Sequence, residues 1–229
     1  MKTIGILGGM SAASTQIYYR ELCSQTRDRL GGLHSPELLI RSLDFAVIEE
    51  LQVKGEWEAA GEILNREAMA LERGGADLIV LATNTMHKLA ERMMERVGIP
   101  MLHIADATAE AIVAVGLKSP GLMATAFTMG QSFYTDRLIA AGLEPIIPNN
   151  ADRAETHRII YDELCKDKTT EVSEAIYVEI AERLAESGAD CLILGCTEVG
   201  MLLNQKNVCV PVFDTTLIHC STALERALE

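Results

Sequence analysis

The thiol of Cys196 stands in the segment GADCLILGCTE at residues 188–198, and the hydroxyl of Thr83 stands in a near-copy, GADLIVLATNT, at residues 75–85. Gly75-Ala76-Asp77 matches Gly188-Ala189-Asp190 at an offset of 113 positions, and the same offset carries Thr83 onto Cys196. A cysteine that follows a glycine, ends an apolar strand and opens a helix is suited to acid–base or nucleophilic chemistry. At such a position the helix dipole and backbone N–H groups lower a thiol from its ordinary pKa of about 8.5. Cys23, Cys191 and Cys209 lack that setting and read as buried, inert thiols. His87, four residues beyond Thr83, falls one turn into the next helix. There it either orients the strand end or is a hydrogen-bonded interior histidine. His34, His103, His157 and His219 show no spacing that pairs them for catalysis.

Small polar residues gather at four strand ends: Gly8-Gly9-Met10-Ser11, Thr83-Asn84-Thr85, Thr125 to Thr128, and Cys196-Thr197-Glu198. Open parallel sheets bind ligands beyond the carboxyl ends of their strands. Every Ser, Thr and Asn in this set also suits a helix N-cap, a reading Cys196 does not share. If the two halves of the chain face each other about a pseudo-two-fold axis, Thr83 and Cys196 approach one ligand from opposite sides. Other chemistries find little support. GILGGMS lacks the GxGxxG spacing of a dinucleotide site, no GK[ST] triplet occurs, and Ser11 has no nucleophile-elbow context. No Cys or His pair has zinc-finger or HExxH spacing, so no metal is expected.

The positioning elements are strands alternating with helices. Strands are expected at Thr3–Leu7, Leu38–Ser42, Leu78–Ala82 and Ile99–Ile104, and helices at Thr15–Arg27, Trp57–Arg73 and Met86–Val97. The order then repeats, with strands at Gly121–Ala124, Glu144–Ile147, Cys191–Leu194 and Val208–Phe213, and helices at Thr128–Ala141 and Glu171–Ser187. Short apolar strands between helices imply mainly parallel sheets covered on both faces, an α/β fold. VGIPMLHIADAT at 97–108 lies over VCVPVFDTTLIH at 208–219, and Tyr18 lies near Tyr134 in register. A repeat of about 110 residues is too long for a solenoid unit. It predicts two similar lobes, residues 1–105 and 106–215, joined near 105–120. A C-terminal helix over 216–229 is expected to pack back on the first. The charged residues of the Trp57–Arg73 and Glu171–Ser187 helices read as solvated faces.

The net charge of −13 argues against nucleic acid or an anionic membrane as partner. No apolar stretch reaches the roughly 20 residues of a membrane span. MKTIGILGGM is no signal peptide, so the cytoplasm is the expected location, with all six cysteines as free thiols.

Taken together, GGMS after the first strand, TNTMH at 83–87, HIADAT at 103–108, GCTE at 195–198 and VPVFDT at 210–215 resemble the aspartate/glutamate racemase family. The resemblance runs over essentially the whole chain. It implies two pseudo-symmetric Rossmann-like lobes, an active site in the cleft between them, a homodimer, and no pyridoxal phosphate or other cofactor. In that family two cysteines flank the substrate α-carbon. One removes the α-proton as thiolate and the other returns a proton to the opposite face, because inverting a stereocentre through a planar carbanion needs an acid or base on each side. Carried over by position, Cys196 and Thr83 are the catalytic pair. Asn84, Thr85, Thr125, Thr128 and Thr197 grip the α-carboxylate, Gly9, Met10 and Ser11 add contacts, and Glu198 joins the substrate-binding set. The side-chain carboxylate of an acidic amino acid needs a cation or strong donor. Lys166 (with Lys168 beside it) and Gln52 are candidates, each with a competing reading as an exposed surface residue.

The departure is Thr83, where the family has its first cysteine. A hydroxyl is far too weak an acid to rest as an anionic base at neutral pH. It can donate a proton, or relay one to water, while Cys196 abstracts. The expectation is a lopsided racemase of aspartate and/or glutamate. The alternatives are a single-cysteine enzyme like arylmalonate decarboxylase, or a non-catalytic amino-acid-binding relative.

Overall fold

The computed structural model describes residues 1–229. In chain order the elements are β1 (Ile4–Gly8), α1 (Ala12–Leu30), β2 (Leu38–Ser42), α2 (Phe45–Lys54), α3 (Trp57–Arg73), β3 (Leu78–Leu81), α4 (Ala90–Met93), β4 (Met101–Leu102) and α5 (Ile104–Ala114). There follow β5 (Pro120–Ala124), α6 (Ala126–Gly130), α7 (Ser132–Ala140), α8 (Asn150–Asp162), α9 (Glu171–Glu186), β6 (Cys191–Gly195), β7 (Val212–Asp214) and α10 (Thr215–Leu228). Short 3-10 turns occupy Thr85–Leu89, Leu164–Lys166 and Val199–Met201. The chain forms two compact units, one of Met1–His103 with His219–Glu229, the other of Ile104–Ile218. No helix is long and apolar enough to cross a membrane.

The first unit is built on a four-stranded parallel sheet in the order β2-β1-β3-β4. Successive side chains of a strand point to opposite faces, and β1 and β3 are apolar at every position that alternation exposes to a helix layer. Leu7, Ile79 and Leu81 enter one core with Leu64, Ala68 and Leu71 of α3. Ile4, Ile6, Leu78 and Val80 enter the other, with Tyr18 and Leu22 of α1 and Ala223 and Leu224 of α10. Each such Leu or Ile contributes about 1.5–3 kcal/mol on burial, which is why neither strand tolerates a polar face.

The second unit repeats this plan around β5-β6-β7, also parallel. Met123, Leu192 and Leu194 pack with α8 and α9, while Leu122, Ala124 and Ile193 pack with α5 and α7. Ile146 adds a bridge on the free side of β5 through Ile146 N–H to Pro120 O at 2.8 Å and Leu122 N–H to Ile146 O at 3.0 Å.

The duplicated GAD triplet proves to be a folding device rather than a chemical one. Gly75 and Gly188 turn helix into strand with φ of 98° and 102°, in the left-handed region that glycine alone enters without strain. Asp77 then accepts the Thr3 amide at 2.7 Å, and Asp190 accepts those of Lys118 at 2.7 Å and Ser119 at 3.0 Å. Each carboxylate thereby ties the start of one strand to the residues leading into its neighbour. Burial raises the Asp190 carboxyl, but those amides outweigh it and hold it below its ordinary pKa.

Several elements differ from the sequence expectations. The helix expected over Met86–Val97 is a 3-10 turn and the single turn of α4, because His87 bonds back to Thr83 and Asn84 and Arg96 enters positive φ at 60°. The strand expected over Ile99–Ile104 pairs only at Met101–Leu102, and Ile104 already opens α5. Residues 105–120 are therefore not a bare join, since α5 fills 104–114 and belongs to the second unit. The expected Thr128–Ala141 helix breaks at Gln131, which is extended at φ −122° and ψ 148°. Glu144–Ile147 makes one bridge instead of a strand, since Pro145 and Pro148 have no N–H to donate. Val208–Phe213 shrinks to Val212–Asp214, with Pro211 contributing only its carbonyl to Leu192. Helix α2 has no counterpart in the sequence expectations. Nor is the charged face of α3 wholly solvated: Glu67 is buried between Arg41 at 2.5 Å and Arg66 at 3.0 Å.

Candidate active-site residues

In the first unit the C-terminal ends of β1 and β3 lie side by side, since Leu7 pairs with Leu81 and the Ala82 amide donates to Leu7 O at 2.9 Å. Gly9–Ser11 and Thr83–Thr85 therefore leave the same sheet edge. Gly9 has φ 90°, and a Cβ there would overlap the Leu43 backbone, so only glycine admits this turn. Its amide donates to Thr15 Oγ1 at 2.7 Å. Ser11 is the N-cap of α1, its Oγ accepting the Ser14 amide at 3.2 Å, so at Ser11 the capping reading holds. Thr83 caps nothing: the residue before the 3-10 turn is Asn84, and no side chain caps that end. Thr83, Asn84 and Thr85 are all buried.

Gln52 joins this cluster. The competing reading of an exposed side chain fails, because α2 turns Gln52 inward and its Nε2 donates to Met86 Sδ at 2.8 Å. Met86 lies in the 3-10 turn that follows Thr83, so the Gln52 amide reaches that turn. Histidines missed as a group also meet here. The His87 ring lies 4.5 Å from that of His103 and 5.8 Å from that of His219, all three buried. His87 Nδ1 is 2.7 Å from Thr83 O, which as a pure acceptor requires Nδ1 to carry the proton. His219 Nε2 in turn faces Leu102 O at 3.0 Å, leaving Nδ1 to accept from Tyr18 Oη at 2.7 Å. Burial lowers the His219 pKa to about 4, so that ring is neutral. The sequence signal for this group lay in the 97–108 over 208–219 alignment, which brings two histidine-bearing segments to equivalent strand exits.

In the second unit Ala124 pairs with Gly195, so Thr125 and Cys196 are the next residues on adjacent strands. Thr125 is the N-cap of α6, accepting from the Thr128 amide at 3.3 Å with the two hydroxyls 3.2 Å apart. Cys196 is partly buried. The expectation that it opens a helix is not met: after β6 the chain makes a turn and then only the 3-10 segment Val199–Met201. The thiol donates instead to Glu198 Oε2 at 3.0 Å. Burial first, and the Glu198 carboxylate second, push the Cys196 thiol well above its ordinary pKa. The predicted lowering is thus reversed, because the thiol is buried, an anion lies beside it and no helix dipole is present. Thr197 and Glu198 are buried.

Lys166 sits in the 3-10 turn after α8 with its side chain 58% exposed and 3.9 Å from Asp162, as the surface reading expects. Its neighbour Cys165 points inward, 3.9 Å from Glu198 Oε1. All six cysteines are free thiols, and Cys209 is exposed rather than buried, beyond the reach of the core beside Pro211. No group of three or more His, Cys, Asp and Glu side chains could hold a metal ion.

A sequence model of Asp/Glu/hydantoin racemases matches residues 7–223. The broad specificity amino-acid racemase RacX of Bacillus subtilis is 25% identical over 218 residues, covering 93% of this chain and 92% of the relative. Among solved structures, a candidate Asp/Glu racemase from Yersinia pestis is 45% identical with a TM-score of 0.93, and all of both chains is covered. An aspartate racemase homologue from Pyrococcus horikoshii OT3 is 37% identical with a TM-score of 0.87, again over both chains entirely.

Proposed function

We propose, from the premise that the chain belongs to the Asp/Glu/hydantoin racemase family, that it racemises an acidic amino acid, aspartate and/or glutamate, without a cofactor. Cys196 and Thr83 address opposite faces of the α-carbon. The observation that carries this reading is the Cys196–Glu198 pair, a protonated thiol 3.0 Å from a buried carboxylate at the C-terminal end of β6.

At rest the thiol holds its proton and the carboxylate is its acceptor. To abstract, Cys196 passes that proton to Glu198 Oε2 and the thiolate takes the α-hydrogen, leaving a planar enediolate-like anion. Asn84, Thr85, Thr125, Thr128 and Thr197 stabilise its developing charge by hydrogen bonds, and Gly9, Met10 and Ser11 add contacts. Thr83 delivers a proton to the other face while taking one from water, and Glu198 returns its proton to solvent, so the cycle balances. Gln52 recognises the side-chain carboxylate, and Lys166, exposed on the 3-10 turn after α8, is the other candidate. Because a hydroxyl cannot rest as a base, only the enantiomer whose α-hydrogen faces Cys196 is deprotonated efficiently. The enzyme is read as a cytoplasmic homodimer.

The test is incubation of each enantiomer of aspartate and glutamate in deuterated water. Exchange of the α-hydrogen is expected from one enantiomer faster than from its mirror image, and Cys196→Ser abolishes it. Absence of exchange from all four amino acids would sink the proposal, and equal rates would remove the asymmetry.

A further inference from the structure

The imidazole of His157 reaches the strand end that carries Thr125. His157 lies on α8, half-buried, with Nδ1 3.3 Å from the Ala126 amide nitrogen. A backbone amide only donates, so Nδ1 accepts and the proton of the neutral ring sits on Nε2. Ala126 is the first residue of α6, and the opening amides of a helix have no partner within it. Thr125 Oγ1 takes the Thr128 amide and Thr125 O the Met129 amide. The Ala126 amide goes instead to His157, on a different helix. Two rings grip the imidazole: Phe127, edge to face at 5.8 Å, and Tyr161 at 4.6 Å between centroids. All these residues belong to the second unit.

We infer that His157 is a positioning residue and a proton-sensitive latch: its neutral ring holds the main chain of the first α6 turn, which carries Thr125 and Thr128, and protonation releases it. An imidazolium has an N–H at both nitrogens, so a donor would then face the Ala126 donor and the bond is lost. On α8 the Asp162 carboxylate favours the charged ring. Arg153, one turn earlier, is bonded to Asn150, and Arg158 is paired with Glu155 and Glu163. The segments PGLMA of β5 and AFTMG of α6 carry no charge. Helix α9 meets α8 through Tyr177 at Thr156 and Arg183 at Asp152. Burial outweighs Asp162 and lowers the His157 pKa, so the latch is closed at neutral pH and opens on acidification. Its effect on turnover rests on the proposal that Thr125 and Thr128 hold the substrate carboxylate.

Two variants separate a latch from packing. His157→Asn places an acceptor where Nδ1 stands and does not titrate. His157→Phe keeps a ring between Phe127 and Tyr161 but accepts nothing. The first readout is the NMR shift of the Ala126 amide as pH falls, followed beside the His157 ring protons, and it needs no substrate. The second is kcat and KM for α-hydrogen exchange of aspartate and glutamate over the same pH range. In the parent the amide and the ring should titrate together, with a midpoint below the ordinary value of about 6.5. Through that midpoint kcat/KM should fall about two- to tenfold, the worth of one hydrogen bond. His157→Asn should recover most of the neutral-pH rate and lose that acidic step. His157→Phe should be slower by about the same factor already at neutral pH, with no step. An Ala126 amide that does not follow the ring would overturn the inference. So would a His157→Asn protein that keeps the acidic step, or one as slow at neutral pH as His157→Phe, since packing alone then explains the loss. If the parent exchanges no acidic amino acid while the amide follows the ring and His157→Asn abolishes that titration, the substrate proposal falls and the latch stands.

Discussion

Replacing Glu198 by Gln tests whether the proton on Cys196 has an internal destination. The side chain keeps its volume and a polar contact at 3.0 Å from Sγ but loses its capacity to take a proton. Two unit charges at that separation repel by about 5–6 kcal/mol at an effective dielectric of about 20. A thiolate beside an ionised Glu198 is therefore suppressed by about four orders of magnitude. The thiolate forms only as its proton moves onto the Glu198 carboxylate. In Glu198→Gln the repulsion is gone, but the proton must leave a buried site for solvent. Exchange from the favoured enantiomer at neutral pH should fall by about 10² to 10⁴, the range of a lost general base and equal to about 3–5 kcal/mol of barrier. The residual rate should climb with pH, because hydroxide then makes the thiolate. The assay is α-deuterium wash-in by NMR between pH 6 and 10, with circular dichroism confirming the fold. A variant within about threefold of the parent at pH 7–8, with the same pH profile, would refute the coupling of Cys196 to Glu198.

Thr83→Cys places a thiol on the second face, and the exchange rates of the two enantiomers should approach one another. A ratio left unchanged would remove Thr83 from the proton path. His219 has a pKa of about 4 in the folded chain against about 6.5 unfolded, through burial among Tyr18, His87 and His103. The unfolded chain therefore binds the extra proton between those values. Stability is fully present above about pH 6.5 and is lost, by about 3 kcal/mol in all, as pH falls toward 4. His219→Gln, which can still bond Tyr18 and Leu102, should flatten the urea-midpoint profile over that window. Gly9→Ala should cost about 2–5 kcal/mol from the unfavourable φ and the overlap with Leu43, read as a lowered urea midpoint. Asp190→Ala strands the Lys118 and Ser119 amides and should cost about 1.5–3 kcal/mol by the same measurement.

Fully apolar runs such as IGILG, LIVL and CLILG were legible as strands because a parallel sheet buried on both faces leaves no polar position to confuse the pattern. The ends of α3 were legible because Trp57–Arg73 keeps its apolar residues at helical spacing between polar boundaries. Edge segments were not. Glu144–Ile147 and Val208–Phe213 carry prolines whose missing amides matter only once a neighbouring strand is present to ask for them. The α5 helix was hidden because its small alanines gave little contrast between an inward and an outward face.

By itself the sequence determined the duplication, the two parallel sheets, and the equivalence of Thr83 and Cys196 at paired strand ends. These follow from local periodicity and from spacing along one chain. Only the tertiary structure decided the protonation state of Cys196. A strand end followed by a helix would have lowered its pKa, but the chain turns instead, and burial of the sulfur, with Glu198 brought beside it, raises it. It also decided that Gln52 is buried beside Met86, that His87, His103 and His219 share one interior, and that Cys165 comes to 3.9 Å from Glu198 Oε1. Such contacts depend on where side chains from separate elements end, and the field at a titratable group is the sum over those neighbours, which no local pattern encodes.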